Sequence, residues 1–353
     1  MSSLIPSITT DFLQRILKDY FKTDIKVLNF VIPNLLDVTH SFCSDLIKIS
    51  VSYSSEKRNT RELSMFAKVQ PEDQEAVAML SHWNCFENEV DVYAHVLPAI
   101  HNLDKEIRVA ADAIYVSSTP RPTIFLKDLT VLGFRNPNRI DLPLDHLLLT
   151  MEKLAFLHAA SVAVYEKDPK MITKFNMAIH ADHPITAHML SSSIVTLKEV
   201  CEKTPELQKY VDKISYERII PKLFSAVKPG KFNVLNHGDA WSNNFMFRYD
   251  QQGKVVDMLM VDFQFPVFGG PALDLQYIWV VCTSVKTKRT CTDQILAHYY
   301  RKLAKNLLKL KIKSSIPSMV ELKEEFNSKA IHGFATILTT LSIFLGKKPP
   351  VFR

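Results

Sequence analysis

The sequence predicts an α+β fold in two lobes: a small N-terminal lobe with an antiparallel sheet plus a helix, and a larger, mostly helical C-terminal lobe. Strand-like alternation of polar and apolar residues is concentrated early in the chain, and helical periodicity prevails from Leu142 to Val227. With 353 residues, the chain exceeds the size at which one hydrophobic core usually stops growing. We therefore expect an N-terminal lobe at 1–126, a hinge at 127–131 and a C-terminal lobe at 132–353.

The first predicted element is a docked N-terminal helix. It follows Thr10, a residue type that caps helices, and its apolar side chains recur at helical spacing: Phe12, Leu13, Ile16, Leu17 and Tyr20. The segment has no uncharged apolar run of the kind found in signal peptides. We expect an amphipathic helix there.

A β-hairpin is predicted next. Residues 47–53 and 63–69 alternate with the period of half-buried strands, and a polar loop at 54–61 joins them. On the second strand, Lys68 lies on the face opposite to the apolar side chains at 65, 67 and 69. This lysine is therefore not simply a solvated residue at a strand end.

A helix is predicted over 86–97, with Phe86, Val90, Tyr93 and Leu97 on one apolar stripe. At about 100° per residue, Glu89 falls on the edge of that stripe, whereas the acidic residues at 87 and 91 point away from it. Glu89 is therefore the acidic residue of this helix that we expect near the core.

The region from Phe232 onward changes character again. A polar loop at 237–244 precedes two predicted strands, Phe245–Tyr249 and Val255–Val261, which join about a Gln252-Gly253 turn. Asp262 follows the second strand directly. A polar loop, a hairpin and an aspartate just past its second strand form the arrangement on which the chemistry depends.

The residue types in this region suit phosphoryl transfer. That reaction needs metal ions on the phosphate oxygens, a cation on the nucleotide phosphates and a carboxylate near the attacking hydroxyl. The loop offers Asp239 and, five positions on, Asn244, and Asp262 adds a second oxygen ligand suited to Mg²⁺. We expect residues 239, 244 and 262 to lie around one divalent cation and the nucleotide phosphates.

Bulk composition excludes several other classes. The 43 basic and 37 acidic residues give a net charge of +6 without any block of like charge, so no nucleic-acid-binding arm is indicated. The five cysteines form no CxxC pair and are odd in number, which favours a reducing cytosol. The longest apolar stretch, 333–346, is shorter than the roughly 20 residues that a bilayer requires, so it predicts a buried helix near the C-terminus. We expect a cytoplasmic protein with no membrane or nucleic-acid partner.

Several motifs stand in a fixed order along the chain. They are Met65-Phe66-Ala67-Lys68, Phe86-Glu87-Asn88-Glu89 followed by Tyr93 and Leu97-Pro98, Leu157-His158-Ala159-Ala160-Ser161, His237-Gly238-Asp239 with Asn244, Asp262-Phe263-Gln264, and Gly270-Pro271-Ala272-Leu273-Asp274-Leu275. In these motifs the chain resembles the ecdysteroid kinase-like proteins of insects, relatives of the choline and aminoglycoside kinases within the protein-kinase-like fold. The likeness covers nearly the whole chain, and order and spacing make it specific.

The resemblance implies a two-lobed protein-kinase-like fold and a small-molecule kinase that uses ATP and Mg²⁺. The implied acceptor is a hydroxyl of a lipophilic compound such as an ecdysteroid. The implied roles are Lys68 on the nucleotide phosphates, Glu89 orienting Lys68, Asp239 as catalytic base, Asn244 and Asp262 on the metal, and Asp274 bracing the catalytic loop.

Each candidate also has a structural interpretation. Asp239 with Asn244 could form a capped turn, Lys68 could be a snorkelling lysine, and Glu89 could belong to a solvated helix face. His237 and Asp274 are interpreted as scaffold rather than reagents, and His158 as a core histidine with satisfied hydrogen bonds.

The sequence departs from the family pattern at the phosphate-binding turn. The first of its eight glycines is Gly133, so a glycine-rich phosphate loop is absent from the predicted N-terminal lobe. The segment 39–44 stands where the family usually has a turn that opens with glycine, and there Ser44 alone clearly matches, so Ser44 is assigned to nucleotide binding. Lys127 takes a position where relatives usually carry glutamate.

Two other functions stay open at this point. The N-terminal lobe lacks glycines, and the chain ends at Arg353, where a typical relative would continue with further helix. Both features would suit a kinase-like binding protein with impaired catalysis. A kinase acting on a polar amino alcohol or a sugar would keep the same machinery and differ only in the acceptor pocket.

Overall fold

The computed structural model describes residues 8–32, 39–40, 44–55, 59–70, 82–119, 121–178 and 184–344. Its contacts divide the chain into two compact units. The first unit comprises Met1–Asn136 and Met246–Gln264, and the second comprises Pro137–Phe245 and Phe265–Arg353. The predicted lobe boundaries and the hinge at 127–131 stay a prediction.

The first unit is built mainly from antiparallel strands. Its helices are α1 (Thr10–Phe21), α2 (Cys85–Asp91) and α3 (Leu97–Leu103), with a π-helical turn, Val92–Val96, between α2 and α3. Its strands are β1 (Ile25–Val31), β2 (Thr39–His40), β3 (Asp45–Ser55), β4 (Thr60–Val69), β5 (Ala113–Ser117), β6 (Thr123–Lys127), β7 (Phe134–Arg135), β9 (Phe245–Tyr249, whose first residue belongs to the second unit) and β10 (Val255–Met260).

The main sheet has the strand order β1-β3-β4-β6-β5, with β2 paired to β3. The predicted hairpin is confirmed, since β3 and β4 pair antiparallel from Asp45 opposite Val69 to Ser54 opposite Thr60. Alternate side chains of both strands pack with α1 in one hydrophobic core. The alternation that predicted the hairpin therefore marks the buried face of the sheet.

Helix α1 begins one residue earlier than predicted. The backbone N–H of Phe12 donates to the side-chain hydroxyl of Thr9 at 3.2 Å, and Thr9 has extended backbone, as an N-cap residue does. The cap is therefore Thr9, and the prediction of Thr10 was wrong. Both threonines carry a hydroxyl that can cap a helix, so the sequence alone did not distinguish them. The predicted apolar stripe is confirmed, with Leu13, Ile16 and Leu17 buried.

The helix predicted over 86–97 is longer and irregular. It runs from α2 through the π-helical turn into α3, and the residues of the predicted stripe are buried. The irregularity lies just before Pro98, which has no backbone N–H and whose ring would clash with the carbonyl four residues earlier. One π-type turn, in which the N–H of Leu97 reaches the carbonyl of Val92, absorbs this mismatch.

The sequence analysis missed β1 and β5. Both strands lie at edges of the main sheet. In β1 only Ile25 and Val27 are buried, and the register shifts after Val27; in β5 only Ile114 is buried. Edge strands with so few buried side chains give a weak alternation signal.

The second unit is mostly helical. Its helices are α4 (Leu144–Lys167), α5 (Pro169–Thr173), α6 (Pro184–Lys203), α7 (Tyr216–Ala226), α8 (Ala272–Val281), α9 (Val285–Thr290), α10 (Thr292–Lys309), α11 (Met319–Ser328) and α12 (Ala330–Phe344). Short 3₁₀ segments lie at Pro205–Lys213 and Ser242–Asn244, and strands β8 (Val234–Asn236) and β11 (Val267–Gly269) pair antiparallel.

Helix α4 is the central helix of this unit. Among the described residues it alone is long and apolar enough, by length and composition, to cross a membrane, but 78% of its most apolar window is buried inside the protein. The core helix of a globular protein has this character. Helix α12 confirms the predicted apolar helix near the C-terminus, although Gly346, the end of the predicted stretch, lies outside the described residues.

The predicted fold class is confirmed. An antiparallel sheet with helices forms the N-terminal part of the chain, and the C-terminal part is mostly helical.

Candidate functional site

Lys68, Glu89 and Asp262 form a charge cluster in the first unit. The ammonium of Lys68 lies 2.5 Å from Oε2 of Glu89 and also donates to Oδ1 of Asp262. Lys68 comes from β4, Glu89 from α2, and Asp262 from the turn after β10. The structure thus brings together three predicted site residues that are far apart in the sequence.

The sheet explains the position of Lys68. Its strand, β4, lies between β3 and β6, where Lys68 is opposite Leu46 on one side and Ile124 on the other. Hydrogen bonds to strands on both sides fix the backbone of Lys68. The residue is only 5% exposed. The interpretation of Lys68 as a snorkelling residue on an edge strand is therefore wrong.

Burial and charge act against each other in this cluster. Burial by itself lowers the pKa of Lys68, but the charges of Asp262 and Glu89 outweigh burial and the pKa lies above its ordinary value. Burial and, to a smaller extent, the charge of Asp262 raise the pKa of Glu89 to about 7 in spite of the attraction of Lys68. One ammonium cannot fully compensate the charges of two carboxylates. The pKa is therefore raised at Glu89, the more deeply buried of the two.

Glu89 does not lie on a solvated helix face, as its structural interpretation required, because its side chain is fully buried. Gln264 lies near it, with Nε2 at 3.4 Å from Oε2 of Glu89. Among the described residues, Oε1 of Glu89 has no hydrogen-bond partner. A buried carboxylate oxygen without a hydrogen-bond partner lowers the stability of the fold.

The backbone of Asp262 is unusual. Its φ is +70°, in the left-handed region, which aspartate tolerates better than most residues other than glycine. The next residue, Phe263, is buried and meets the ring of Tyr93 edge-on, with ring centroids 6.0 Å apart. The packing of Phe263 therefore anchors the turn that carries Asp262.

In the second unit, the loop between β8 and β9 joins Asp239 to Asn244. Nδ2 of Asn244 donates to the main-chain oxygen of Asp239 at 2.9 Å and to its Oδ2 at 2.8 Å. Nε1 of Trp241 donates to the same Oδ2 at 3.2 Å, and the hydroxyl of Tyr277 donates to Oδ1 at 2.5 Å. Asn244 thus closes a turn around the Asp239 carboxylate, as the interpretation of this pair as a capped turn expected.

Asp274 holds the backbone of this loop by hydrogen bonds. Its Oδ2 accepts the backbone N–H of His237 at 2.7 Å, and its Oδ1 accepts that of Gly238 at 2.9 Å. His158 contacts Oδ2 of Asp274 through Nε2 at 3.2 Å and the hydroxyl of Tyr299 through Nδ1 at 2.7 Å. His158 and Asp274 are both fully buried, which confirms His158 as a core histidine with satisfied hydrogen bonds.

Gly238 allows the loop to take this path. Its φ is +79°, and a Cβ atom at this position would lie 1.7 Å from the carbonyl oxygen of Phe265. Only glycine fits both the backbone conformation and the close approach. The loop preceding Asp239 is therefore fixed by backbone geometry as well as by Asp274.

Comparison of the sequence with known protein families identifies the family of this chain. The sequence profile of the Ecdysteroid kinase-like family matches residues 39–312. The chain belongs to the ecdysteroid kinase-like family. No curated protein matches the sequence.

The chain also matches solved structures of other proteins over most of its length. The aminoglycoside phosphotransferase APH(4)-Ia is 12% identical, with 95% of this chain and 99% of that chain covered and a TM-score of 0.37. A choline/ethanolamine kinase family protein from Mesorhizobium loti is also 12% identical, with 93% of this chain and 98% of that chain covered and a TM-score of 0.32.

In this ecdysteroid kinase-like protein, Ser44 and Lys127 both lie in the first unit. Ser44 is fully buried just before β3, and residues 41–43 of the predicted phosphate turn lie outside the described residues. The role of Ser44 in nucleotide binding stays a prediction. Nζ of Lys127 lies 3.3 Å from Oδ2 of Asp112 and above the ring of Tyr20. The charge of Lys127 is therefore paired within the first unit.

The oxygen ligands of the predicted metal site come from different parts of the chain. No group of three or more His, Cys, Asp and Glu side chains that could hold a metal ion occurs in the part of the chain that the structure describes. The amide of Asn244 directs Nδ2 to Asp239, which leaves the amide oxygen at the other end of the planar group. An amide oxygen and a carboxylate suit Mg²⁺, which takes few protein ligands and keeps its other positions for phosphate and water.

Sequence reasoning missed Tyr277, Trp241 and Gln264 as partners of the site residues. Trp241 and Gln264 lie within the quoted motifs, but their side chains had been given no role. Tyr277 follows Asp274 by three positions, which is nearly one helical turn, and this spacing was a usable signal. The two residues make their contacts with the same loop.

Proposed function

We propose that this ecdysteroid kinase-like protein is a small-molecule kinase that transfers the γ-phosphoryl group of ATP to a hydroxyl of a lipophilic compound such as an ecdysteroid. The observation that carries the proposal is the held carboxylate of Asp239. The carboxylate is partly exposed, it accepts hydrogen bonds from three side chains, and its loop is fixed by the buried Asp274. A structural turn does not require so many donors on one partly exposed carboxylate.

Asp239 is assigned the role of catalytic base. In the reaction, the acceptor hydroxyl attacks the γ-phosphorus, the bond from that phosphorus to the bridging oxygen of ADP breaks, and the hydroxyl proton leaves toward Asp239. A carboxylate held in one orientation accepts or directs that proton without reorganising.

Asn244 and Asp262 are assigned to Mg²⁺. The amide oxygen of Asn244 and the carboxylate of Asp262 are ligands of the type that this ion prefers. When bound, Mg²⁺ supplies positive charge to the phosphate oxygens. Asn244 has a second task, because its Nδ2 donates to Asp239.

Lys68 is assigned to the nucleotide phosphates, with Glu89 as its orienting partner. A phosphate group would replace a carboxylate as the partner of the buried ammonium, so the charge of Lys68 stays compensated. Glu89 stays behind on α2 as the fixed partner of the lysine. The reaction is assigned to the cytoplasm, because the cysteines in the described part of the chain are free.

The acceptor class is tested by incubating the purified protein with Mg-ATP and a panel of hydroxylated steroids, plant phenols, amino alcohols and sugars. Mass spectrometry should detect the gain of one phosphoryl group, first among the steroids. Asp239→Ala should lower turnover by about 10²- to 10⁴-fold while the affinity for Mg-ATP changes little.

The matched control is Asp257→Ala, which removes a carboxylate that pairs with Arg248 on the neighbouring strand. This variant should keep wild-type turnover. Phosphorylation of amino alcohols or sugars alone would move the acceptor to the polar class. Nucleotide binding without transfer to any compound would contradict the proposal and favour a kinase-like binding protein.

A further inference from the structure

We propose that Tyr277 is a positioning residue for phosphoryl transfer, which holds the carboxylate of Asp239 in the orientation that the reaction uses. This inference rests on the proposed function and adds a residue to it. Tyr277 contacts no reacting atom in this scheme and acts through Asp239.

The contact is short and charge-assisted. The hydroxyl of Tyr277 donates to Oδ1 of Asp239 at 2.5 Å, at the short end of the range for O–H···O⁻ hydrogen bonds. The Tyr277 side chain is buried, at 4% exposed, whereas Asp239 is partly exposed. A buried phenol that donates to a partly exposed carboxylate fixes the side of the carboxylate that faces the protein interior.

The three donors to the carboxylate are not equivalent. Trp241 and Asn244 donate to Oδ2 and belong to the same loop as Asp239. Their contacts therefore move with the loop and cannot fix it relative to the rest of the unit. Tyr277 donates to Oδ1 from helix α8, so among these three donors it alone ties the carboxylate to a separate element.

Helix α8 holds three consecutive loop residues. Asp274 accepts the backbone N–H groups of His237 and Gly238, and Tyr277, nearly one turn later, holds the side chain of Asp239. Nine of the ten residues of α8 are buried, so the helix is a rigid support. Misplacing a catalytic group by about 1 Å can cost about 10²-fold in rate. Loss of the Tyr277 hydroxyl removes the hydrogen bond from α8 to the Asp239 side chain and leaves the bonds from Asp274 to the backbone intact.

A purely structural explanation makes a different prediction. A buried tyrosine needs a hydrogen-bond partner, and Asp239 would satisfy this need whether or not it has a chemical role. In that case, loss of the hydroxyl would change stability and leave turnover unchanged. In the positioning role, turnover falls because the carboxylate is less well held.

The test compares Tyr277→Phe with the wild-type protein on an acceptor that the wild-type protein phosphorylates. We expect kcat to fall by about 10- to 100-fold, with the KM for Mg-ATP within about 2-fold of wild type. Tyr165→Phe is the control, because the Tyr165 ring stacks on Phe268 and the residue belongs to helix α4. It should keep wild-type kcat.

A double-mutant cycle with Asp239→Ala separates positioning from an independent effect. In the Asp239→Ala background, Tyr277→Phe should cause no further loss of turnover, and its effect on the unfolding midpoint should differ from its effect in the wild-type background. Losses that multiply in turnover, or midpoint shifts that add, would overturn the proposal.

The outcomes distinguish this inference from the proposed function. Wild-type kcat in Tyr277→Phe, together with an inactive Asp239→Ala, would overturn the positioning role and leave the proposed function intact. Wild-type turnover in Asp239→Ala would overturn both. If the wild-type protein phosphorylates no compound, the proposed function fails and the positioning role fails with it, while coupled unfolding midpoints would still establish the contact.

Discussion

At the scale of single residues, the Lys68 cluster joins one ammonium to two carboxylates. A buried ion pair is weak evidence for stability, because desolvation offsets much of the attraction. Here the single ammonium of Lys68 serves two carboxylates, and Glu89 has an oxygen with no partner among the described residues. An arrangement optimised for stability alone would not contain this imbalance. We interpret the cluster as a lysine held ready for an anionic ligand.

The substitution Lys68→Met tests the electrostatic part of this interpretation. It removes the cation and leaves two neighbouring carboxylates, one of them buried, so we expect a loss of about 2–4 kcal/mol in the free energy of unfolding. Urea denaturation at pH 8 measures this loss. Adding Glu89→Gln to Lys68→Met should restore part of it, because the second substitution removes the buried uncompensated charge.

Lys18→Met is the control for loss of a lysine. Lys18 is an exposed residue of α1 that pairs with the exposed Asp24, and its replacement should leave the urea midpoint unchanged. A double variant no more stable than Lys68→Met would show that packing, and not charge, determines the loss.

At the scale of elements, the loop from His237 to Asn244 is held by backbone geometry and by helix α8. Gly238 combines a positive φ with a close approach to the carbonyl oxygen of Phe265. The next three residues have no such requirement, since none of them has a positive φ. The position of the loop is thus determined just before Asp239.

Gly238→Ala should therefore be strongly destabilising. A Cβ atom would lie 1.7 Å from the carbonyl oxygen of Phe265, so the backbone must shift in addition to taking up a strained φ. We expect a loss of about 2–4 kcal/mol in urea denaturation, together with loss of phosphoryl transfer.

Gly253 offers a matched control in the turn between β9 and β10. Its φ is +78°, nearly that of Gly238, but a Cβ atom there would meet nothing within 4 Å. Gly253→Ala should cost only the conformational strain, about 1 kcal/mol, and retain activity. Equal losses in the two variants would contradict the steric argument.

At the scale of the whole molecule, the dependence of global stability on pH reports partly buried carboxyl groups that have no role in the proposed reaction. Glu325, near the end of α11, is one of them. Burial raises the pKa of Glu325 to about 7 in spite of the charge of Lys329, and its Oε1 has no hydrogen-bond partner among the described residues. The folded protein therefore holds the proton on Glu325 more tightly than the unfolded chain does.

The sign of the effect follows from proton binding. Between about pH 4.5 and pH 7, the folded state binds more protons at Glu325 than the unfolded state does, so the free energy of unfolding falls as the pH rises through this window. We expect Glu325→Gln, which stays neutral, to be more stable than wild type by about 1–2 kcal/mol at pH 8, after allowance for partial exposure, and nearly equal at pH 4.5.

Urea denaturation of both proteins across this pH range measures the difference. Glu324→Gln is the control, because the neighbouring Glu324 is exposed. Its difference from wild type should not change with pH. A constant difference between Glu325→Gln and wild type would show that the carboxyl group ionises alike in the folded and unfolded states.

The sequence by itself determined the features that depend on neighbours along the chain. Alternation predicted the β3–β4 hairpin, the change of pattern after Phe232 predicted the polar loop that holds Asp239 and Asn244, and the order of the motifs predicted the family. Periodicity, turn formation and motif spacing are local properties, so they can be read without knowledge of the packing.

Only the tertiary structure decided which distant groups meet. It placed Asp262 beside Lys68, brought the hydroxyl of Tyr277 to Asp239, and buried Glu89 completely. It also assigned the cap of α1 to Thr9 instead of Thr10, a choice that local composition left open. The physical reason is that side-chain contacts between elements depend on how those elements pack, and one sequence pattern is compatible with several packings until the core excludes all but one.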